Sequence, residues 1–419
     1  MHILDDSYQF NNLFRNLSWN FLGQLISKIS LLLFHIIFAN MVGAASYGEF
    51  SFAYIGGMIL IQPTLDLGLN QLITKWVSRG NLEVIRLSIN IKGVISFALI
   101  PSALLIGWWM EINLFLQLTI LFFFLINTIQ QSLFGILRGL EDLRPESITV
   151  SLQNVLACII LGFFVFYEIS TEPWIASLIL LFSRTIGTIF FSVVLWKNFI
   201  NNLKNIENNS YILKSKKLLK EALTLGVVLF LIQFYFRIDT IMLGIIASEI
   251  EVGLYSTAYN LMEGTFFIPT VVMAAIFPRL SQTKYFLTFF RKGALLLSLS
   301  GLACGGAFFF LAEFIINWFF KPEFQNSIHI LKTLSLAIPL VYLGYLSTQS
   351  LVALDYNRIY LAIIFSGLIL NVILNFWMIP KYGAFGAALA TVITEAFIPL
   401  NCFLIILKYH FNRSSLNES

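Results

Sequence analysis

The sequence predicts an all-α membrane protein whose chain crosses the bilayer about twelve times. Composition is the first reason, because 58% of the 419 residues are hydrophobic, only 11% are charged and the mean hydropathy is +0.83. The second reason is that apolar runs of about twenty residues, the length of helix that spans the hydrocarbon core, recur along the whole chain. Such runs exceed a barrel strand in length and lack its two-residue alternation, which favours helices.

The predicted spans fall into two sets of six. The first six lie at roughly 17–39, 50–73, 88–110, 113–137, 148–167 and 173–196. The other six lie at roughly 222–245, 252–277, 287–312, 328–352, 359–379 and 384–407. The longest polar stretch, 197–220, predicts a linker loop between an N-terminal bundle, 1–196, and a C-terminal bundle, 221–419. Because each half has an even number of spans, both halves enter from the same side, as parallel repeats do.

The basic residues predict the orientation of the chain. Most of the 26 lysines and arginines lie in the two tails and in or beside the even-numbered connections, among them Arg79 between the second and third spans and Lys92 at the start of the third. Lys321 and Lys381 lie on the other face. This excess predicts that the basic face and both termini are cytoplasmic. The net charge of +4 therefore indicates topology and attraction to anionic lipid, and we expect no nucleic-acid partner.

One motif is written twice in the chain. Residues 39–54 read ANMVGAASYGEFSFAY and residues 244–259 read GIIASEIEVGLYSTAY. At one fixed spacing, Gly48, Ser51, Ala53 and Tyr54 recur as Gly253, Ser256, Ala258 and Tyr259. Self-similarity of this kind indicates duplicated architecture. In membrane proteins, duplicated halves are typical of a transporter with its site between them.

Eight charged residues interrupt the predicted spans. They are Lys28, Asp66, Arg184, Arg237, Asp239, Glu263, Lys332 and Glu395. A lone charge at mid-bilayer costs on the order of 3 kcal/mol or more, so such residues pair with one another or line a wet cavity. Lys332 is the exception that we expect to reach the interface. Most of the others fall on the first two spans of each half.

The cations and the acids suggest different roles. Lys28 and Arg184 have no acidic residue nearby in the sequence, so we expect them to line a cavity and bind an anion. Arg237 and Asp239 are two positions apart and point in different directions on a helix, so each is expected to pair with another helix.

The remaining acids allow two interpretations each. Asp66 either faces the cavity or braces a helix kink beside Pro63. Glu263 and Glu395 either couple transport to a proton or cation, or are buried carboxylic acids held by hydrogen bonds.

Catalytic and cofactor chemistry is not indicated. The four histidines show no grouping, and Cys158, Cys304 and Cys402 are scattered within apolar spans without the spacing of metal ligands. No glycine loop or lysine typical of nucleotide binding occurs. The outer connections, such as 168–173, are too short for the domain that a membrane glycosyltransferase or sugar polymerase needs. We therefore expect no cofactor, no metal site and no enzyme activity.

Three segments carry a resemblance to a known family. They read RIDTIMLGIIASEIEVGLYSTAYNL, IPTVVMAAIFPRLSQ and NFWMIPKYGAFGAALAT, and they follow an opening that contains LDLGLNQLITKW. Together they resemble the Wzx-like oligosaccharide flippases, the polysaccharide-transport branch of the multidrug/oligosaccharidyl-lipid/polysaccharide (MOP) exporter superfamily. The match runs from about Asn11 to Ile406. It implies two six-helix bundles around a central cavity.

The resemblance also implies a function. Members of this family move undecaprenyl-diphosphate-linked sugar repeat units from the cytoplasmic to the outer leaflet of the bacterial inner membrane, for O-antigen, capsule or exopolysaccharide. The implied partners are that lipid-linked oligosaccharide, membrane lipid, and the polysaccharide polymerase and chain-length proteins. On this basis Lys28, Arg184 and Arg237 would grip the anion, and Asp239 would orient Arg237 or take part in coupling.

Two other classes of protein stay open at this point. A cation-coupled multidrug antiporter of the related MATE branch would need acidic residues in the cavity, which Asp66, Asp239, Glu263 and Glu395 could supply. A membrane sugar polymerase is a less favoured alternative because of the short outer connections. A major-facilitator transporter is disfavoured, because the loop KWVSRGNLEVIR lacks the glycine-aspartate-arginine signature of that class.

Overall fold

The computed structural model describes the backbone of residues 3–140, 142–203, 215–282 and 285–417, and the side chains of residues 22–140, 142–193, 218–282 and 285–408. Within these ranges the chain is almost entirely helical and contains no strand. The predicted all-α class is therefore confirmed. Residues 204–214 of the predicted loop at 197–220 lie outside the described residues, and both of its described ends are helical. The boundaries of the two predicted bundles stay a prediction.

The helices are numbered in chain order. The first seven are α1 (Ile3–Gly56), α2 (Gln62–Asp66), α3 (Leu69–Val77), α4 (Glu83–Trp109), α5 (Leu114–Gly139), α6 (Arg144–Phe166) and α7 (Pro173–Leu203). The other six are α8 (Ser215–Ile246), α9 (Glu249–Glu263), α10 (Phe267–Leu280), α11 (Phe286–Phe319), α12 (Ser327–Ala353) and α13 (Asn357–Asn417). A π-helical turn, Gly57–Ile61, joins α1 to α2, and a 3-10 turn, Pro322–Phe324, precedes α12.

Ten stretches of the described chain are long and apolar enough to cross a membrane. Two of them, Leu22–Asp66 and Asn357–Lys408, have 45 and 52 residues, about twice the length that one crossing needs. Each is interrupted by a glycine with positive φ, Gly43 (φ 83°) and Gly383 (φ 56°). Glycine adopts this backbone region without the steric cost of a side chain. The two breaks coincide with predicted boundaries between spans, and the count of twelve and the cytoplasmic termini stay predictions.

An acidic side chain lies at each of these helix breaks. The Glu251 carboxylate accepts a hydrogen bond of 2.6 Å from the backbone N–H of Ala384, directly after Gly383. The Glu323 carboxylate lies beside Gly43, 2.9 Å from the position that a β-carbon would take. A negative charge is favourable at the start of a helical segment, where backbone N–H groups lack partners. Both breaks are therefore chemically stabilised features of the fold.

The contacts divide the chain into two compact units. The first unit consists of Met1–Val42 and Ala53–Phe230, and the second consists of Gly43–Phe52 and Leu231–Ser419. In the first unit, α5 packs along α7 and α3, and α6 packs along α7. In the second unit, α12 packs between α11 and α13. Phe97 and Phe310 are 84% and 82% exposed, as expected of side chains that face lipid.

Two equivalent glycines of the repeated motif meet within the second unit. A β-carbon on Gly48 would overlap the carbonyl oxygen of Glu249, and a β-carbon on Gly253 would overlap the carbonyl oxygen of Ala44. Ala44 and Gly48 occupy the same places in the first copy of the motif as Glu249 and Gly253 occupy in the second. The contact is therefore reciprocal. Small residues allow helix backbones to approach this closely.

Candidate functional site

Arg184 is a partly buried cation of the first unit, on α7. Its Nη1 donates a hydrogen bond of 2.9 Å to Oε1 of Gln130, and its guanidinium lies 5.0 Å from the centre of the Phe123 ring. Within the described side chains, no carboxylate pairs with Arg184. A buried cation is costly unless an anion or water compensates it. This is the chemistry expected of a residue that binds an anionic substrate.

The surroundings of Arg184 are rich in uncharged polar groups. Gln130 donates from Nε2 to Oε1 of Gln153 at 3.1 Å, which extends the network from α5 to α6. Several buried polar atoms nearby on α5, α6 and α7 have no hydrogen-bond partner within the described part of the chain: Thr128 Oγ1, Thr149 Oγ1, Gln153 Nε2 and Ser183 Oγ. An unsatisfied buried polar group costs about 1–3 kcal/mol. Such groups suit a polar stripe that water or a ligand contacts.

Asp66 holds a helix break in the first unit. It ends α2, and the next two residues, Leu67 and Gly68, have positive φ values of 45° and 78°. Oδ1 of Asp66 accepts a hydrogen bond from the backbone N–H of Asn70 at 3.1 Å and lies 3.3 Å from Nζ of Lys92. The structure therefore supports the interpretation of Asp66 as a brace for the kink.

Lys92 is the partner that the sequence analysis missed. It lies within α4 and is buried, although its position in a basic stretch suggested a cytoplasmic connection. Nζ donates to Oδ1 of Asn70 and to Oγ of Ser132, both at 2.7 Å, in addition to its ion pair with Asp66. The pair is thus fully enclosed by hydrogen bonds. Such an arrangement holds α2, α3, α4 and α5 together.

Lys28 lies on α1 and is exposed. No hydrogen bond or ion pair of its side chain is found within the described residues of the first unit. The structure does not place Lys28 next to Arg184. Its role in anion binding stays a prediction.

Arg237 and Glu263 form an ion pair in the second unit. Nη2 of Arg237 lies 2.8 Å and 2.7 Å from the two carboxylate oxygens of Glu263, and the guanidinium lies 5.2 Å from the centre of the Tyr259 ring. The pair joins α8 to α9. The expectation that Arg237 would find a partner on another helix agrees with this contact. Binding of substrate by Arg237 stays a prediction.

Asp239 lies at the centre of a buried hydrogen-bond network in the second unit. Its side chain is almost fully enclosed, and Oδ2 accepts hydrogen bonds from the Tyr255 hydroxyl at 3.1 Å and from Thr391 Oγ1 at 3.0 Å. Oδ1 accepts from Nδ2 of Asn375, which also donates to Asn371. No lysine or arginine of the described chain lies within ion-pair distance of Asp239.

Glu395 is the second buried acid of this unit without a basic partner among the described side chains. It lies on α13, and its Oε1 accepts a hydrogen bond of 2.8 Å from the Tyr235 hydroxyl. Asp239 and Glu395 therefore share one property: neutral groups hold each carboxylate, hydroxyls and an amide at Asp239 and a hydroxyl at Glu395. Acids in such surroundings are suited to exchange a proton or bind a cation.

The sequence analysis found the charged members of these networks and missed the neutral ones. Gln130, Gln153, Asn371, Asn375 and Thr391 complete the two networks but carry no charge. A signal for some of them was present in the sequence. Asn371 and Asn375 are four residues apart in an apolar run, a spacing that places two amides on one face of a helix.

The buried charges and the ten apolar stretches define a multi-pass membrane protein with ionisable side chains in its interior. The sequence profile described as polysaccharide biosynthesis protein matches residues 13–284, more than half of the chain. The protein belongs to this polysaccharide biosynthesis family.

Individual relatives agree with that assignment. The chain is 25% identical over 407 residues to an uncharacterized membrane protein of Methanocaldococcus jannaschii, with 92% of this chain and 94% of the relative covered. It is 23% identical over 416 residues to the capsular polysaccharide biosynthesis protein CapF of Staphylococcus aureus, with coverages of 95% and 98%.

Solved structures share the fold. An inward-facing multidrug resistance MATE family transporter of the MOP superfamily superimposes with a TM-score of 0.71 at 16% identity, covering 94% of this chain and 96% of the other. The lipid II flippase MurJ superimposes with a TM-score of 0.66 at 19% identity, with coverages of 92% and 86%. The all-α membrane fold class implied by the family resemblance is thereby confirmed, and the two six-helix bundles around a central cavity stay a prediction.

Proposed function

We propose that the protein flips lipid-linked oligosaccharide repeat units from the cytoplasmic to the outer leaflet of a bacterial cytoplasmic membrane, by alternating access. The repeat units would carry an undecaprenyl-diphosphate anchor and would serve the synthesis of O-antigen, capsule or exopolysaccharide. The observation that carries the proposal is Arg184, a partly buried cation of the first unit, surrounded by neutral polar groups and without a carboxylate partner among the described side chains.

The physics of the cargo explains why such a cation is needed. A diphosphate and a sugar chain are too polar to cross hydrocarbon unaided, whereas the polyprenyl tail can stay in lipid. A guanidinium presents several N–H donors in a planar fork that matches phosphate oxygens. Arg184 would hold the diphosphate while the neutral polar groups around it contact the head group. Lys28 and Arg237 are proposed to assist.

Asp239 and Glu395 are proposed to couple the cycle to a proton or a cation. Both are enclosed carboxylates whose recorded partners are hydroxyl or amide groups, so each has capacity for a positive charge. Glu263 is less suited, because Arg237 already occupies both of its oxygens. The membership in the polysaccharide biosynthesis family supports a lipid-linked sugar as the cargo.

Gene deletion followed by complementation tests the proposal. Loss of surface polysaccharide with accumulation of complete precursor on the cytoplasmic side is the expected result. The Arg184→Glu variant should fail to restore the polymer while it is still inserted in the membrane. Lys381→Glu, the same charge reversal at an exposed position, is the matched control and should restore it. Full restoration by Arg184→Glu would refute the proposed role of this cation.

The same experiment separates the alternatives. Single repeat units that reach the outer face without lengthening would identify a polymerase. Unchanged polymer with raised sensitivity to cationic drugs would identify a multidrug antiporter. The buried acids Asp239 and Glu395 are compatible with a multidrug antiporter, since a cationic substrate would pair with them. The polymerase and chain-length partners stay predictions that co-purification with the complemented protein tests.

A further inference from the structure

A cavity of about 380 Å³ lies inside the second unit, among α8, α10, α12 and α13. Its volume is within the range of about 300–1,000 Å³ that is typical of small-molecule pockets. Five aromatic side chains contribute to its walls: Tyr235, Phe236, Phe277, Tyr345 and Tyr360. The polar side chains at its wall include the Glu395 carboxylate, the Gln349 amide and the Thr348 hydroxyl. No lysine or arginine is among its described lining residues.

Gly344 gives the cavity one open wall. It lies on α12 and lines the cavity, and a β-carbon built on it would meet no atom within 4 Å. At most other glycines of the described helices, a β-carbon would contact a neighbouring residue. The cavity therefore extends to the backbone of α12, and a side chain introduced here would enter it without displacing protein.

The lining combines two chemical features. Aromatic rings offer apolar faces, and the tyrosines add hydroxyl groups. Glu395 uses Oε1 for the Tyr235 hydroxyl, and no hydrogen bond to its Oε2 is found within the described part of the chain. Because Glu395 lines the cavity, this oxygen is available to accept a hydrogen bond from a ligand there. A ligand must therefore offer hydrogen-bond donors to Glu395 and apolar surface to the aromatic rings.

A neutral pyranose ring meets both requirements. Its C–H faces can pack on aromatic rings, and its hydroxyls can donate to a carboxylate and exchange hydrogen bonds with an amide. An apolar lipid tail would leave the Glu395 carboxylate unsatisfied. An anionic sugar would bring a second negative charge to Glu395 without a cation in the lining.

The cavity lies at one end of the helix bundle. Phe277, Val352 and Tyr360 line it and lie within one helical turn of the ends of α10, α12 and α13. Arg279 and Arg358 lie at the same ends, which the distribution of basic residues predicts to be cytoplasmic. A ligand would therefore approach from the compartment in which lipid-linked sugars are assembled.

We propose that this cavity is a binding subsite for one neutral sugar ring of the repeat unit. It selects repeat units with a neutral ring at this position over repeat units with a uronic acid at the same position. The proposal deepens the proposed function and rests on it for the biological role. Binding of a sugar to the cavity can be tested without that function.

Saturation-transfer NMR on the full-length protein in lipid nanodiscs is the direct test. The probes are the methyl glycosides of glucose, galactose, N-acetylglucosamine and glucuronic acid. At least one neutral glycoside should receive saturation from the protein, and the glucuronide should receive none. The Gly344→Leu variant should reduce the neutral signal at least tenfold, Gly344→Ala should reduce it partly, and Glu395→Gln should reduce it without filling the cavity.

Gly306→Leu is the matched control. Gly306 lies on α11, a β-carbon on it would also meet no atom within 4 Å, and it is not a lining residue. Both substitutions replace a helical glycine by a good helix former, so their effect on the helices is similar. The control should bind the glycosides as the wild-type protein does. If Gly344→Leu does not fold, Gly344→Ala and Glu395→Gln decide the result.

Three results would overturn the proposal. They are the absence of transfer to every neutral glycoside, equal transfer in the wild type and Gly344→Leu, and Gly344-dependent binding of tetraphenylphosphonium without glycoside binding. The last result would identify a pocket for cations. Gly344-dependent glycoside binding in a protein whose deletion leaves precursor and polymer unchanged would uphold the sugar subsite and refute the flippase.

Discussion

The interiors of the two units differ in the sign of their uncompensated charge. In the first unit, Lys92 and Asp66 form a balanced pair, and Arg184 is held by a glutamine and an aromatic ring. In the second unit, Arg237 and Glu263 form the balanced pair, and two acids, Asp239 and Glu395, have hydroxyl and amide partners.

Under the proposed function, this difference predicts different roles for the two units. Each unit has an ion pair that joins its helices and has little contact with solvent, Lys92–Asp66 in the first and Arg237–Glu263 in the second. The charges left without an ionic partner are positive in the first unit and negative in the second. A positive interior suits the diphosphate of a lipid-linked precursor, whereas a negative interior suits a proton or a cation. The comparison predicts that the balanced pairs act on stability and that the other charges act on transport.

The largest expected effect concerns the balanced pair of the first unit. Lys92→Met leaves Asp66 buried without its partner, and breaking a buried pair in this way costs about 3–5 kcal/mol. Unfolding of the purified protein by heat and by denaturant measures the change. The double variant Lys92→Met/Asp66→Asn removes both charges and should recover part of the loss. Equal stability of Lys92→Met and the wild type would show that the pair is not structural.

The next effect concerns Arg184. Arg184→Gln should weaken the binding of farnesyl diphosphate, a short analogue of the lipid anchor, by about thirtyfold or more, because truncating a buried charge contact costs about 2 kcal/mol or more. Asp239→Asn should leave this affinity unchanged. Calorimetry on the protein in nanodiscs measures both. If Asp239→Asn weakened diphosphate binding as much as Arg184→Gln does, the proposed difference in role between the two units would be wrong.

A smaller effect is expected at the crossing of the two glycines. Gly48→Ala places a methyl group against the carbonyl oxygen of Glu249, and overpacking of this kind costs about 1–3 kcal/mol. Gly253→Ala should have an effect of similar size, because its contact with Ala44 is the reciprocal one. Gly162→Ala, where a β-carbon meets no atom within 4 Å, is the control. A drop in melting temperature for only one of the two glycines would contradict the reciprocity.

The smallest effect is expected at the helix break beside Gly383. Glu251→Gln keeps an acceptor for the Ala384 N–H and removes the negative charge, which should cost about 0.3–1 kcal/mol. Glu313→Gln, at an exposed position of α11, should change stability less. Differential scanning calorimetry of the two variants and the wild type measures the change in stability. A larger loss in Glu313→Gln would argue against a role for the charge at the break.

The sequence alone predicted the all-α membrane fold class and the order of most of the helices along the chain. It could do so because long apolar runs have few alternatives to membrane helices. The kinks were harder. Gly43 and Gly383 fall at predicted boundaries between spans, but the carboxylates that lie beside them, those of Glu323 and Glu251, come from positions distant in sequence. Such a partner cannot be read from the local pattern.

The candidate site shows the same limit. Arg184, Asp239 and Glu395 stand out in the sequence, because a charge in an apolar span is conspicuous. Lys92 did not stand out, since it follows a basic stretch and its partner Asp66 lies on another helix. The amides and hydroxyls that hold these charges were missed, because neutral polar residues are common in membrane helices and their role depends on which helices are neighbours.

The crossing of Gly48 and Gly253 also bears on the origin of the chain. Two identical half-length proteins that associate about a two-fold axis place the same surface of each copy against the other, so that every contact occurs twice. The reciprocal contacts of Gly48 with Glu249 and of Gly253 with Ala44 have this form. The crossing therefore has, within one chain, the form of a two-fold contact between two copies of the same motif. A side chain at either glycine would meet the backbone of the other copy.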